Sequence, residues 1–188
     1  MSASARAGIL MRRARRAAVC GAAALGLLGA RSLLGPAALA GSLHVGQPAP
    51  AATLVTLDGH HIRTQDLRGR VVILTFWATW CEPCREELPL LSAYAQSHAA
   101  QGLTILAFSL DTAEDLPKVR RVAQSLAFPS GLLADSSVPG YGRIWRIPVS
   151  FTIDRQGRLV DNGWKDRPPT WTAERLERIV TPLLSARR

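Results

Sequence analysis

The sequence predicts an α/β domain with a mixed central sheet flanked by helices, and three observations predict it. The apolar run Val71–Trp77 (VVILTFW) reads as a buried strand and leads straight into Cys81-Glu82-Pro83-Cys84 and a helical stretch. A second apolar strand pattern, Leu103–Leu110, and a second helical pattern follow, so strands and helices alternate. Pro148 then opens a strand that is followed by a hairpin, which adds antiparallel pairing to an otherwise parallel sheet. Helices are expected on both faces of that sheet.

Taken in order, residues 43–50 (LHVGQPAP) form a Pro- and Gly-containing lead-in. Thr53–Leu57 and His61–Arg63 flank the turn signal Asp58-Gly59-His60 and predict a small hairpin. After the Val71–Trp77 strand, Cys84–Gln101 reads as a helix that Gly102 stops and Pro89 kinks, since proline removes a backbone donor and crowds the preceding turn. Asp111 and Thr112 offer cap-type residues to a helix through Ala127, with Val119, Val122, Ala123 and Leu126 on one apolar face. Leu132–Ala134 reads as a short strand, and Val138–Trp145 as an irregular or single-turn segment. Val149–Asp154 and Arg158–Asn162 pair across Arg155-Gln156-Gly157, and Thr172–Ser185 closes the chain as an amphipathic helix with Leu176, Ile179, Val180, Leu183 and Leu184 inward.

The chemistry sits where the strand meets the helix. Backbone N–H groups at a helix N-terminus lack intrahelical partners, and the macrodipole adds partial positive charge there. Both favour a thiolate, so the leading sulfur, Cys81, is expected to be the nucleophile and Cys84 the resolving thiol. A zinc site would need four ligands, and the only other cysteine is Cys20, in the N-terminal apolar segment. Covalent haem attachment needs His directly after the second cysteine, where this chain has Arg85. No metal and no cofactor are therefore expected. Pro83 fixes φ at the helix start, and Glu82 places a negative charge beside Cys81 that opposes its thiolate. Glu87, three residues after Cys84, shares its helical face and is a candidate proton acceptor. His60 and His61 lack a third ligand nearby and read as solvated.

Phe76-Trp77-Ala78-Thr79-Trp80-Cys81-Glu82-Pro83-Cys84 resembles the active-site motif of thioredoxin-fold proteins, and Cys81–Pro89 (CEPCREELP) is more specifically similar to the TlpA/ResA/DsbE branch. Ile147-Pro148-Val149-Ser150-Phe151-Thr152-Ile153-Asp154-Arg155-Gln156-Gly157 resembles the same family's cis-proline strand and the hairpin turn after it. The resemblance covers about residues 45–185. It implies a thioredoxin-like fold with an N-terminal hairpin and a strand–helix insertion before the cis-proline strand. It implies exposure of Cys81, a proton-handling role for Glu87, and a cis bond at Pro148. Thioredoxin itself carries a buried Asp at the strand position that here is Thr75. The expected substrate groove comprises Pro148, Ile147, Trp80, Glu82 and Pro83, with Trp80 at its rim and Trp77 in the core; Trp145 and Arg146 are further candidates to shape it. Implied partners are protein thiols and disulfides, with a membrane-embedded thiol reductant as electron donor. Reduction of apocytochrome c or of oxidase-assembly proteins is the implied work.

The formal charge of +9 over 188 residues is concentrated at one end. Residues 1–40 hold six arginines and no acid, leaving 17 basic against 14 acidic residues elsewhere. With no basic run interleaved with aromatics, a nucleic-acid partner is not expected. The basic stretch 6–16, the apolar Ala17–Ala30 and the Ala38-Leu39-Ala40 site read as a signal peptide cleaved before Gly41, ahead of a single domain over 41–188. An uncleaved membrane anchor is the alternative, but Ala17–Ala30 is short for a span of about 20 residues and Arg31 interrupts it. The expectation is an exported, periplasmic oxidoreductase, tethered to the inner membrane only if the leader is retained. A peroxiredoxin-type peroxidase would need Thr or Ser where this chain has Ala78. A copper-binding assembly chaperone would need wider cysteine spacing and a distal histidine, and no histidine follows His98.

Overall fold

The structure is a computed structural model and describes residues 43–185, so the expected leader over 1–40 lies outside the described residues. Five strands form the central sheet in the order β5-β4-β3-β6-β7: β3 (Val71–Trp77), β4 (Leu103–Ser109), β5 (Ser130–Leu132), β6 (Val149–Ile153) and β7 (Leu159–Asn162). Strands β3, β4 and β5 are parallel, whereas β6 and β7 run antiparallel, giving the mixed sheet expected. A separate antiparallel hairpin, β1 (Thr53–Val55) with β2 (His61–Arg63), precedes it.

Every residue of β3 is buried, as befits a central strand with both faces covered. Because side chains alternate, Val71, Ile73 and Trp77 enter one core and Val72, Leu74 and Phe76 the other. The first core receives Leu88 and Leu91 of α1 (Glu82–His98), Val119 of α2 (Leu116–Ala123), Leu176 of α3 (Ala173–Ile179) and Leu184 of α4 (Thr181–Ser185). The second is built around Leu54, Tyr141, Phe108 and Phe151 and takes no residue from these four helices. The α-helices thus pack on one face, not both. The other face is covered by the hairpin and the 133–147 stretch, where Pro139 and the positive-φ Gly140 and Gly142 suit no helix.

Three expected helices differ in their limits from the sequence expectation, and prolines explain two of the differences. The second helix begins at Leu116, because Pro117 is tolerated in a first turn but would disrupt a helix already under way from Thr112. It ends by Ala123, so the next strand is Ser130–Leu132 rather than Leu132–Ala134. The closing helix over Thr172–Ser185 is two helices joined at Val180, since Pro182 has no N–H to continue the ladder. The first helix starts at Glu82, not Cys84, and runs unbroken past Pro89 to His98 before Gly102, at φ 85°, ends the following turn.

Two close contacts fix the periphery. A Cβ on Gly131 of β5 would lie 1.9 Å from the Val55 carbonyl oxygen, so only glycine lets the hairpin lie this close. At the start of β3 and β4, Arg155 donates to the carbonyl oxygens of Gly69 (2.8 Å), Gln101 (2.8 Å) and Leu184 (3.1 Å). One guanidinium thereby ties the β6–β7 turn to three other parts of the chain.

Candidate active site

Strands β3 and β4 end side by side, and the loops leaving them are bolted together. The Asp111 carboxylate, buried just beyond β4, accepts from the Thr79 N–H (2.9 Å), the Thr79 hydroxyl (2.6 Å) and the Ser109 hydroxyl (2.6 Å). Leu110 N–H donates to the Trp77 carbonyl at 2.8 Å. Asp111 is therefore not the helix cap its position suggested. It holds the turn that carries Trp80 and Cys81.

Cys81 occupies the N-cap of α1. Its sulfur accepts from the Cys84 N–H at 3.3 Å, and its carbonyl from the Arg85 N–H at 3.1 Å. The two cysteines form a disulfide with their Cα atoms 5.3 Å apart. Cys81 is buried at 5% exposure rather than exposed as expected, and Cys84 has no exposure at all, so of the two sulfurs Cys81 lies nearer the surface. An unpaired helical N–H aimed at a sulfur favours its anionic form once the bond is opened.

Glu87 lies one turn further along α1 and is only 3% exposed. Its Oε2 accepts the Trp171 backbone N–H at 2.8 Å, while its Oε1 meets no hydrogen-bond partner among the described residues. Burial pushes its pKa up from 4.5 to about 7, against smaller lowering effects from the Trp171 N–H, the Arg175 charge and the Thr75 hydroxyl. Thr75 accepts a hydrogen bond from Ser150 across the β3–β6 pair at 2.9 Å. The strand position and the helix position thus converge on one carboxylate. Arg175 stacks over the Trp171 ring at 4.2 Å and donates to Asp161 at 2.8 Å, to Asp166 and to the Pro169 carbonyl at 2.7 Å, which fixes the segment presenting Trp171 to Glu87. Neither Trp171 nor Arg175 was singled out from sequence. Trp171 is 84 residues from its partner, and no local spacing signals the contact.

The Ile147–Pro148 bond is cis. Continuing the register Thr75↔Ser150 and Phe76↔Val149 by one step sets Pro148 across from Trp77, at the end of β3 from which the cysteine loop departs. Ile147 is half-buried and packs against both cores. Trp77 is fully buried and Trp80 is 66% exposed, while Glu82 and Pro83 lie at the surface of the first turn. Trp145 is 72% exposed and stacks on Trp164 with centroids 5.8 Å apart. Arg146 beside it donates to the carbonyls of Gly163 (2.7 Å) and Trp164 (2.9 Å) and so braces that aromatic pair. Among the described residues, no three His, Cys, Asp or Glu side chains gather as a metal site.

The pattern of the AhpC/TSA family matches residues 45–161. The chain belongs to that family. Within it, the chain is similar to the thiol-disulfide oxidoreductase ResA of Bacillus cereus, 31% identical over 119 residues that cover 63% of this chain and 69% of that one. The thioredoxin-like protein YneN of Bacillus subtilis is 36% identical over 124 residues, covering 62% and 69%. Among solved structures, a thiol:disulfide interchange protein from Chlorobium tepidum, assigned as DsbE, superposes with a TM-score of 0.62 at 27% identity, covering 77% of this chain and all of that one. This AhpC/TSA member is accordingly a thioredoxin-fold thiol-disulfide oxidoreductase of the TlpA/ResA/DsbE kind.

Proposed function

We propose that the protein is an exported, extracytoplasmic oxidoreductase that reduces disulfides in other proteins. The observation that carries this reading is the asymmetry of the cysteine pair, a sulfur at a helix N-cap that keeps slight exposure and a fully buried one three residues before the buried Glu87 on the same helix. In the reduced protein, the Cys81 thiolate attacks a substrate disulfide, forms a mixed disulfide and releases one substrate thiolate. Cys84 then gives its proton to Glu87 and attacks the Cys81 sulfur. The substrate leaves as its second thiolate, and the Cys81–Cys84 disulfide re-forms with two electrons transferred. Glu87 suits the proton step because its pKa near 7 matches neutral conditions and Oε1 is free to accept. Pro148, Ile147, Trp80, Glu82 and Pro83 frame the substrate, and Trp145, on its braced stack, extends that frame.

The reducing direction is supported by Glu82, whose charge disfavours a Cys81 thiolate and so makes the disulfide the less oxidising partner. A membrane-embedded thiol reductant is the proposed electron donor, and apocytochrome c or an oxidase-assembly protein the proposed class of substrate. A peroxidase reading of the same family finds less support. The position three before Cys81 is the buried Ala78, and the neighbouring Thr79 hydroxyl is committed to Asp111. Thiol alkylation of the cellular pool tests the direction: a largely reduced protein agrees with the proposal, and a largely oxidised one overturns it. N-terminal sequencing of protein from the periplasmic fraction should begin at Gly41, whereas a full chain held in salt-washed membranes would establish the anchor instead.

A further inference from the structure

Beside the cysteine turn, a cleft of about 340 Å³ opens between the active-site loop and α2. Thr79, Trp80 and Arg85 form one wall, and Asp115, Lys118 and Arg121 the other. Trp80 and Arg85 are the residues immediately before Cys81 and after Cys84, so the cleft begins where the disulfide ends. Three of its six polar or aromatic wall residues just named are cations and only one is an acid. Lys118 is engaged by Asp115 at 2.6 Å, which neutralises both. The side chains of Arg85 and Arg121 make no hydrogen bond or ion pair among the described residues, and both are exposed. The acids of the same helical turns, Glu82 and Glu86, do not line the cleft.

Two unpaired guanidinium groups facing one space are suited to a carboxylate, which they can hold through charge-assisted, fork-shaped hydrogen bonds. The exposed Trp80 indole supplies an apolar wall for the methylene stem of that side chain. We infer that this cleft is a specificity subsite for an acidic side chain, Asp or Glu, flanking the cysteine that Cys81 attacks in a substrate polypeptide. The inference rests on the oxidoreductase reading above. Trp80 belongs both to the proposed substrate frame and to this cleft, so residues flanking a substrate sulfur at Cys81 that pass over Trp80 on this side meet Arg85 and Arg121. The subsite thereby selects among disulfides by their surroundings rather than by their own chemistry.

The test uses two disulfide-cyclised peptides of one sequence, with Glu or Gln beside the attacked cysteine, and follows their reduction by the reduced protein. The Glu peptide should react about fivefold faster or more, as one or two partly screened ion pairs provide. Arg85→Ala with Arg121→Ala should erase that ratio while the Gln peptide is reduced as before. Arg121→Glu should reverse the preference, and Arg63→Glu on β2, which alters net charge equally, should leave it intact. Equal rates for both peptides with the native protein overturn the subsite while leaving the oxidoreductase in place. A preference erased equally by Arg63→Glu also overturns it, since that is steering by overall charge. Reduction of neither peptide would sink the proposed reduction of protein disulfides, and the subsite with it.

Discussion

At the scale of single residues, the proposed chemistry divides between two sulfurs and one carboxylate. Cys81→Ser should abolish reduction of a protein disulfide, whereas Cys84→Ser should accumulate a mixed disulfide through Cys81, visible on a non-reducing gel. Faster labelling of Cys84 than Cys81 by limiting alkylating reagent would reverse those roles. Glu87→Gln should leave the first attack intact and slow the resolving step, by about a hundred- to ten-thousandfold for a full general base. Glu86→Gln, on the exposed side of α1, is the control, and stopped-flow traces showing equal effects at both would reduce Glu87 to a packing residue. The grouping of these three residues was legible beforehand, because Cys81, Cys84 and Glu87 lie within seven residues at the start of α1. What was not legible depends on partners far along the chain. Asp111 looked like a helix cap because its true partner, Thr79, is 32 residues away. Trp171 gave no sign of reaching Glu87 at all.

At the scale of elements, the strands were easier to read than the helix ends. The seven-residue, largely apolar and β-branched run of β3 reads as a doubly covered strand, and the Asp58-Gly59-His60 turn marks the hairpin. Helix limits depended on Pro117 and Pro182, whose effects outweigh the apolar periodicity around them. That the four α-helices among the described residues pack on one face could not be read from alternation, which counts elements without saying which side each connection crosses. The hairpin's seat on β5 makes a direct prediction. Gly131→Ala drives a methyl group into the Val55 carbonyl, and the backbones must separate to admit it. The substitution should cost about 1–3 kcal/mol in urea unfolding, with raised amide exchange in β1 and β2. Unchanged exchange in the hairpin would mean that β5 gives way instead.

At the scale of the whole molecule, the buried carboxylate links stability to pH. Glu87 titrates near 7 in the folded protein but near 4.5 when unfolded, so between those values the unfolded chain has released a proton the folded one keeps. Stability from this group is therefore full below about pH 4.5 and is lost as pH rises towards 7, by about 3 kcal/mol in total. Urea titrations of the oxidised protein at pH 5 and pH 8 should show that fall, and Glu87→Gln should remove most of it. An undiminished fall in the variant would assign the pH dependence to other groups.

The order of the sheet has a consequence for how the chain is made. Strand β3 finds β4 about thirty residues later, but its other edge waits for β6, where Val72 pairs with Ile153 about eighty residues downstream. During synthesis from the N-terminus, a seven-residue apolar strand therefore stands with one open, adhesive edge until most of the domain has emerged. A truncated chain ending before Val149 keeps that edge permanently and should aggregate in light-scattering measurements, while the chain through Ser185 should not.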